Sequence, residues 1–308
     1  MAGTPWGCNP CYHMVVAESM DTQDTLEPPS TTRTAGRTAA KVDGFRPEPS
    51  PVTLARLEQI VTRSQRRSGV AFGERFVRRH DDAIAPPLAR MLRGGQGGAV
   101  RLKLYLTMSL LATNPPYDIK GPIPARAWAE ALGLPDPDRN GARRVNDAID
   151  WLHEHRFLVS DRRPGAPGGI QLLSQTGSGE PFARPTGATC YVQLPLGLWL
   201  NGWIVRLSGA ALALLIILLD LQGGRAGAQT IAPTQARVRY DLSPDTWTKG
   251  IRELKHFGIV EVSRRPQGDI WDYRRMRNAY WVNIGSLQGE SSDRPRPRAR
   301  RRNPRRMG

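Results

Sequence analysis

Cysteine, lysine, histidine and long apolar runs are all scarce in this 308-residue chain. Three cysteines, Cys8, Cys11 and Cys190, are too few and odd in number for a disulfide framework, and no charged, apolar and small-residue signal peptide opens the sequence. A cytoplasmic protein is the expectation. Cys8, Cys11 and His13 form a CNPCYH cluster, but a zinc site takes four ligands and no second CxxC completes the set, so no metal is expected. The longest apolar run, residues 210–219, falls short of the about 20 residues a membrane span needs. Its upstream flank meets Arg206 and Asn201, so it reads as a buried helix and no membrane partner is expected.

Catalytic signatures are absent as well. There is no GxxxxGK[ST] loop for a nucleotide, no HExxH, no GxSxG, and no pair of histidines around an apolar residue. His153 and His155 flank Glu154, and alternate positions cannot share one helix face; they suit the negative end of a helix dipole. The expectation is no enzyme and no cofactor.

What the chain does have is positive charge. Its net charge of +16 and pI near 10.7 favour a polyanionic partner, nucleic acid first and an anionic membrane surface second. Only five of the 44 basic residues are lysines. Arginine dominance fits bidentate phosphate contacts and a GC-rich genome equally well.

The length holds two ordinary domains plus tails. Residues 1–50, rich in Thr, Pro, Ser and Gly without apolar periodicity, read as a disordered tail. Residues 51–98 read as a basic helical extension, with helices near 51–61, 73–80 and 86–91 and a GGQGG linker at its end. A first compact domain spans 99–175, a Gly/Thr/Ser/Pro-rich linker 176–188, a second domain 189–287, and a disordered arginine-rich tail 288–308. That tail, with eight arginines against Glu290 and Asp293, reads as a sequence-independent phosphate-binding arm.

Residues 243–266 give the clearest local pattern. Ser243 is an N-cap candidate, Pro244 takes the first helical position, and Asp245 sits in the first turn. Trp247, Ile251 and Leu254 form one inward stripe, Gly258 stops the helix, and Ile259, Val260 and Val262 begin a strand ending in Arg264, Arg265 and Pro266. This pattern predicts the second half of a winged helix-turn-helix. An internal comparison finds a second copy. At an offset of 102, Val145, Ile149 and Leu152 meet Trp247, Ile251 and Leu254, and Arg162, Arg163, Pro164 meet Arg264, Arg265, Pro266. Upstream the offset grows to 108, which places Ile123 on Ile231, Leu134 on Leu242, and residues 102–113 on 210–221. The fold class is therefore α+β, mainly helical, with two tandem winged helix-turn-helix domains.

The outward faces of the two predicted recognition helices differ. The second presents Asp245, Lys249, Arg252 and His256 flanked by Thr246 and Thr248; the first presents Arg143, then Asp147, Asp150 and Glu154. Candidate DNA-contacting residues are thus Thr246, Thr248, Lys249, Arg252, Arg264, Arg265, Arg274, Arg275 and Arg277 in the second copy. In the first they are Arg139, Asn140, Arg143 and Arg144 at the helix start and Arg162 and Arg163 at the wing tip. The second copy is the expected main reader of double-stranded DNA, and the first supports dimerisation or a weaker contact.

Residues 191–207, a strand ending in Leu-Pro and a short helical step, lead into a helix capped at Ser208. Followed by the capped helix and turn described above, this layout resembles the winged-helix domain of plasmid replication initiators over roughly residues 99–285. The resemblance implies a nucleoid- or plasmid-associated homodimer in which one module dimerises and the other binds repeated origin sequences. It also carries DNA contact onto Thr246, Thr248, Lys249 and Arg252 and backbone contact onto Arg264 and Arg265. Transcriptional regulation, nonspecific architectural binding of nucleic acid, and a winged-helix adaptor that binds proteins remain alternatives.

Overall fold

The computed structural model describes residues 45–80, 84–161, 168–185, 190–223, 230–231, 236–267 and 275–289. The described part is α+β and mainly helical, with small antiparallel sheets. The tails expected to be disordered fall largely outside it. Residues 45–50, placed in that tail from the sequence, are instead packed, and Ser50 Oγ accepts the Thr53 N–H as the N-cap of the first helix.

That N-terminal block contains α1 (Pro51–Ser64), β1 (Val70–Gly73), α2 (Glu74–Val77) and α3 (Pro87–Leu92). The three expected helices are present, but β1 was not foreseen. The GGQGG stretch is no linker. Gln96 to Gly98 form the first turn of α4 (Gln96–Leu111), and a Cβ on Gly98 would stand 2.3 Å from the Leu92 carbonyl oxygen, so the glycines allow a tight corner between α3 and α4.

The first unit continues with α5 (Ala125–Ala131), a π-helical turn at Pro137–Gly141, α6 (Ala142–Glu154), β2 (Leu158–Ser160) and β3 (Ile170–Leu172). The connection β4 (Tyr191–Leu194), α7 (Gly197–Leu200) and α8 (Trp203–Arg206) leads to the second unit. This comprises α9 (Gly209–Gln222), β5 (Thr230–Ile231), α10 (Ala236–Tyr240), α11 (Pro244–His256), β6 (Val260–Gln267) and β7 (Arg275–Val282), closed by α12 (Ile284–Gln288).

The two units repeat in detail. α6 and α11 start and end 102 residues apart. Each is followed by a left-handed residue, Arg156 at φ 60° and Gly258 at φ 66°, and each closes with the same bond, Phe157 N–H to Leu152 O and Ile259 N–H to Leu254 O, both 2.9 Å. In the second unit the sheet order is β5-β7-β6. In the first, β3 pairs with β2 and also with residues 117–119, through a bridge between Asp118 and Gln171 and an Ile119 N–H to Ile170 O bond of 2.8 Å. The strand-equivalent residue of the first unit is thus Ile119 rather than Ile123, because it is the former that bonds to the ladder. The six extra residues of the first unit's turn build the π-helical segment, where Asp136 accepts the Asn140 N–H.

The core runs through both units. α4 and α9 are buried on every side from Leu102 to Leu110 and from Ala211 to Gln222. That is why they read as apolar runs without a polar face. Buried Lys103 donates to the Val205 carbonyl at 2.8 Å; burial holds its ammonium pKa well below the ordinary value, Arg46 adds to the lowering, and Glu253 opposes it.

Several arginines of residues 51–98 staple this core rather than extend from it. Arg56 pairs with Glu130 at 2.8 Å, and Arg66 caps the end of α4 through the carbonyls of Leu110, Ser109 and Ala112. Burial, then the neighbouring Arg184, lowers the Arg66 pKa to about 10. Arg78 reaches Asp220 at 2.7 Å, and Arg79 and Arg93 both hold Asp241, at 2.9 and 2.5 Å. The described part of the stretch expected as a second linker is packed too: Phe182 lies on Tyr117 with ring centroids 4.6 Å apart, and just before it Gln175 bonds Gly73 N–H and Ala71 O. β4 pairs with β1 (Val70↔Leu194 to Gly73↔Tyr191), so it belongs to this cross-brace and not to the second unit's sheet.

Candidate nucleic-acid interface

The second unit presents its polar residues on a rigid support. Ser243 Oγ accepts the Thr246 N–H at 3.1 Å, Pro244 opens α11, and Trp247, Gly250, Glu253 and Leu254 face inward. Glu253 fastens the helix to α9 by accepting from both the N–H (2.7 Å) and the hydroxyl (2.5 Å) of Ser208. With the inner face fixed, Asp245, Thr248, Lys249, Arg252, Lys255 and His256 form the outer stripe, and all are exposed.

The candidates on that stripe are differently available. Thr246 is half-buried, its backbone and hydroxyl both engaged with Ser243, so it caps the helix more than it faces outward. Thr248 is exposed, though its hydroxyl donates to the Pro244 carbonyl at 2.8 Å. Lys249 pairs with Asp245 one turn back at 2.7 Å; an exposed pair of this kind is worth about 0.3–0.5 kcal/mol and yields readily to a phosphate. Arg252 is exposed. Lys255, which the sequence reading passed over, extends the cationic stripe by one turn, and its signal was its spacing of three from Arg252. His256 stays exposed although Phe45 stacks on one face of its ring, with centroids 4.3 Å apart.

Beside the stripe stands the β6–β7 ladder. Arg264 and Arg265 are exposed and lie opposite Asn278 and Arg277. Directly opposed residues share one face, so half-buried Arg277 and exposed Arg265 place two like charges together, an arrangement that is destabilising without an anion between them. The Arg275 backbone pairs with Gln267, while Arg274 lies outside the described residues.

In the first unit Arg139 and Asn140 are exposed on the π-helical turn, Arg143 is exposed and Arg144 half-buried at the start of α6. Beyond that first turn the exposed positions are Asp147, Asp150, His153 and Glu154. Trp151 stacks on His155 at 3.8 Å and carries Arg101 on its ring at 4.3 Å. Arg162 and Arg163 lie outside the described residues, as do Cys8, Cys11 and His13; Cys190 is buried.

Among the described residues no cluster of three or more His, Cys, Asp or Glu side chains is placed to hold a metal, and no helix is long and apolar enough to cross a membrane. Comparison with known protein families, curated proteins and solved structures finds no match to this chain.

Proposed function

We propose that the protein binds double-stranded DNA through two tandem winged helices, acting as a plasmid-type replication initiator or a transcriptional regulator. The second unit is the main reader. The observation that carries this reading is the exposed Lys249, Arg252 and Lys255 stripe on a capped, braced helix, next to a two-stranded ladder where Arg265 and Arg277 face one another. In a winged helix the outward residues of the third helix enter the major groove and the ladder follows the backbone. The shared order of helix, ladder-bonded segment, helix, helix, strand and strand supports the tandem assignment, the second element being strand β5 in the second unit and a single bridge at Asp118 in the first. The acidic outer face of α6 favours a second role for the first unit, contact with another protein chain, including a second copy in a homodimer.

The test is a DNA-binding titration on origin-like or operator-like duplex against scrambled duplex, across a range of salt. Specific binding keeps its preference as salt rises, which counterion release alone does not supply. Lys249→Ala with Arg252→Ala should weaken binding by roughly tenfold or more, and Arg143→Ala with Arg144→Ala by about threefold or less. Equal losses overturn the division between the units, and failure of the parent protein to retain duplex near physiological salt overturns DNA binding.

A further inference from the structure

The N-terminal chain emerges on the reading face itself. Phe45, the first described residue, stacks on His256 at 4.3 Å and lies 5.8 Å from Phe257. Glu48 pairs with Arg206 at 3.4 Å, and Arg206 in turn lies over the Trp203 and Phe257 rings at 4.6 and 4.8 Å. His256 sits on the same outward stripe as Lys249 and Arg252, one turn beyond Arg252, a rise of about 6 Å. The chain N-terminal to Phe45 is therefore joined to the described fold beside the proposed groove-facing side chains.

Those residues have the opposite charge to the rest of the chain. Residues 1–32 contain Glu18, Asp21, Asp24 and Glu27, spaced three apart, and no Lys or Arg. The face they would meet carries Lys249, Arg252 and Lys255 against the single carboxylate of Asp245. Reach is no obstacle: the 17 residues from 28 to 44 extend to at most about 60 Å, against about 10 Å along α11 from His256 to Lys249. Tethering also raises the local concentration of the acidic segment to about the millimolar range.

We propose that residues 18–27 dock on the outer face of α11 and compete with DNA for it. This rests on the DNA-binding reading of that face. Four carboxylates would take the places of groove phosphates, Phe45 fixes where the segment leaves, and nucleic acid of sufficient affinity displaces it. Binding would then favour duplex that also contacts the ladder, since only such duplex outcompetes the tethered segment.

Two measurements on the full chain test it. In the first, the parent is compared in duplex titrations at low salt with the variant Glu18→Gln, Asp21→Asn, Asp24→Asn, Glu27→Gln and, separately, with Phe45→Ala. The neutralised chain should bind about tenfold tighter, with the gain shrinking as salt rises, and Phe45→Ala should shift affinity the same way by less. Equal affinities overturn the inference while leaving DNA binding intact; binding by none of the three overturns DNA binding and the inference with it. In the second, a zero-length carbodiimide joins carboxylates to lysine amines in the absence of DNA. With only five lysines in the chain, cross-links from residues 18–27 to Lys249 or Lys255 support docking, and cross-links confined to Lys41 or Lys120 overturn it.

Discussion

α6 and α11 have the same length, the same closing turn and matching inward positions, yet opposite charge outside. At the shared offset Asp147 stands where Lys249 does, Asp150 where Arg252 does, and Arg143 where Asp245 does. In α11 the charges suit the helix dipole, with Asp245 in the first turn and Lys255 and His256 in the last. In α6 the arginines at the start and Glu154 at the end oppose it, a mismatch of about 0.3–1 kcal/mol for each charge, while His153 in the last turn suits it. Helix stability does not explain that arrangement. The contacts proposed for this face, phosphates at the start of α6 and a basic chain beyond it, would suit that arrangement.

The two units differ inside as well, and the largest expected effect lies there. Asp220 in α9 accepts from Arg78 at 2.7 Å and from the Tyr240 hydroxyl at 2.6 Å. At the offset of 108 the first unit has Ala112 and Leu132, so its core is apolar where the second unit's is ionic. Burial alone would lower the Arg78 guanidinium pKa, but the hydrogen bond and charge of Asp220 outweigh it and hold it above the ordinary value. Burial, then the Asp220 carboxylate, pushes the Tyr240 hydroxyl up. Arg78→Ala strands a buried carboxylate and should cost about 3–5 kcal/mol in denaturant unfolding. Combining Arg78→Leu, Asp220→Ala and Tyr240→Leu, which imitates the first unit, should recover most of that loss. A triple variant as unstable as Arg78→Ala would show that the ionic core is not replaceable by the apolar one.

Next in size is an exchange of outer charge. Lys249→Asp with Arg252→Asp gives α11 the carboxylates of α6 at those two positions and should lower duplex affinity roughly 100-fold, about 2.7 kcal/mol. The reciprocal Asp147→Lys should raise it by about threefold, since one added cation on the weaker unit makes at most one more phosphate contact. If the second change matters as much as the first, the units share the load and the division fails.

The helix seats supply a third contrast. Gly250 in α11 corresponds to Ala148 in α6, and a Cβ on Gly250 would stand 2.9 Å from the Ala210 carbonyl oxygen and 3.0 Å from Leu214 Cδ2. Alanine ordinarily strengthens a helix interior by about 1 kcal/mol over glycine. Here Gly250→Ala should instead destabilise by about 1–3 kcal/mol, because α11 must back away from α9. Ala148→Gly should cost only about 1 kcal/mol, as helix propensity predicts. Chemical denaturation of both variants checks the sign.

Much of this duplication was legible in the sequence because it is local. Caps such as Ser243 and Ser208, inward stripes and stop residues depend on neighbours three or four positions away, and α11 begins and ends where that pattern places it. What escaped was long-range. Nothing near Arg66 or Arg78 shows that their partners lie at residues 109–112 and 220, so an internal brace looked like a basic extension. Gly94 to Gly98 looked like a linker because glycine marks both a loose chain and a close corner, and the Leu92 carbonyl that decides between them is visible only in the fold. The site divides the same way: Lys249 and Arg252 followed from helical spacing, whereas the stacking of Phe45 on His256 had no local signal.

The smallest expected effect tests whether the two closing turns are interchangeable. Arg156 and Gly258 both adopt left-handed φ, and both turns bond the next residue back to the same carbonyl position. For a residue with a Cβ this conformation costs about 1–2 kcal/mol, whereas glycine pays no such steric penalty. Replacing arginine with glycine also enlarges the unfolded ensemble, which offsets about 0.4–1 kcal/mol of the relief. Arg156→Gly should therefore stabilise by only about 0.5 kcal/mol, a rise in Tm of about one to two degrees for a chain of this size. Gly258→Arg should cost about 1 kcal/mol, all of it backbone strain, because a Cβ there meets no atom within 4 Å. Calorimetry of the pair decides. Should Arg156→Gly lower Tm, the stem of Arg156, whose Cδ lies 3.1 Å from where a Cβ on Gly179 would stand, contributes packing that the second unit's turn does without.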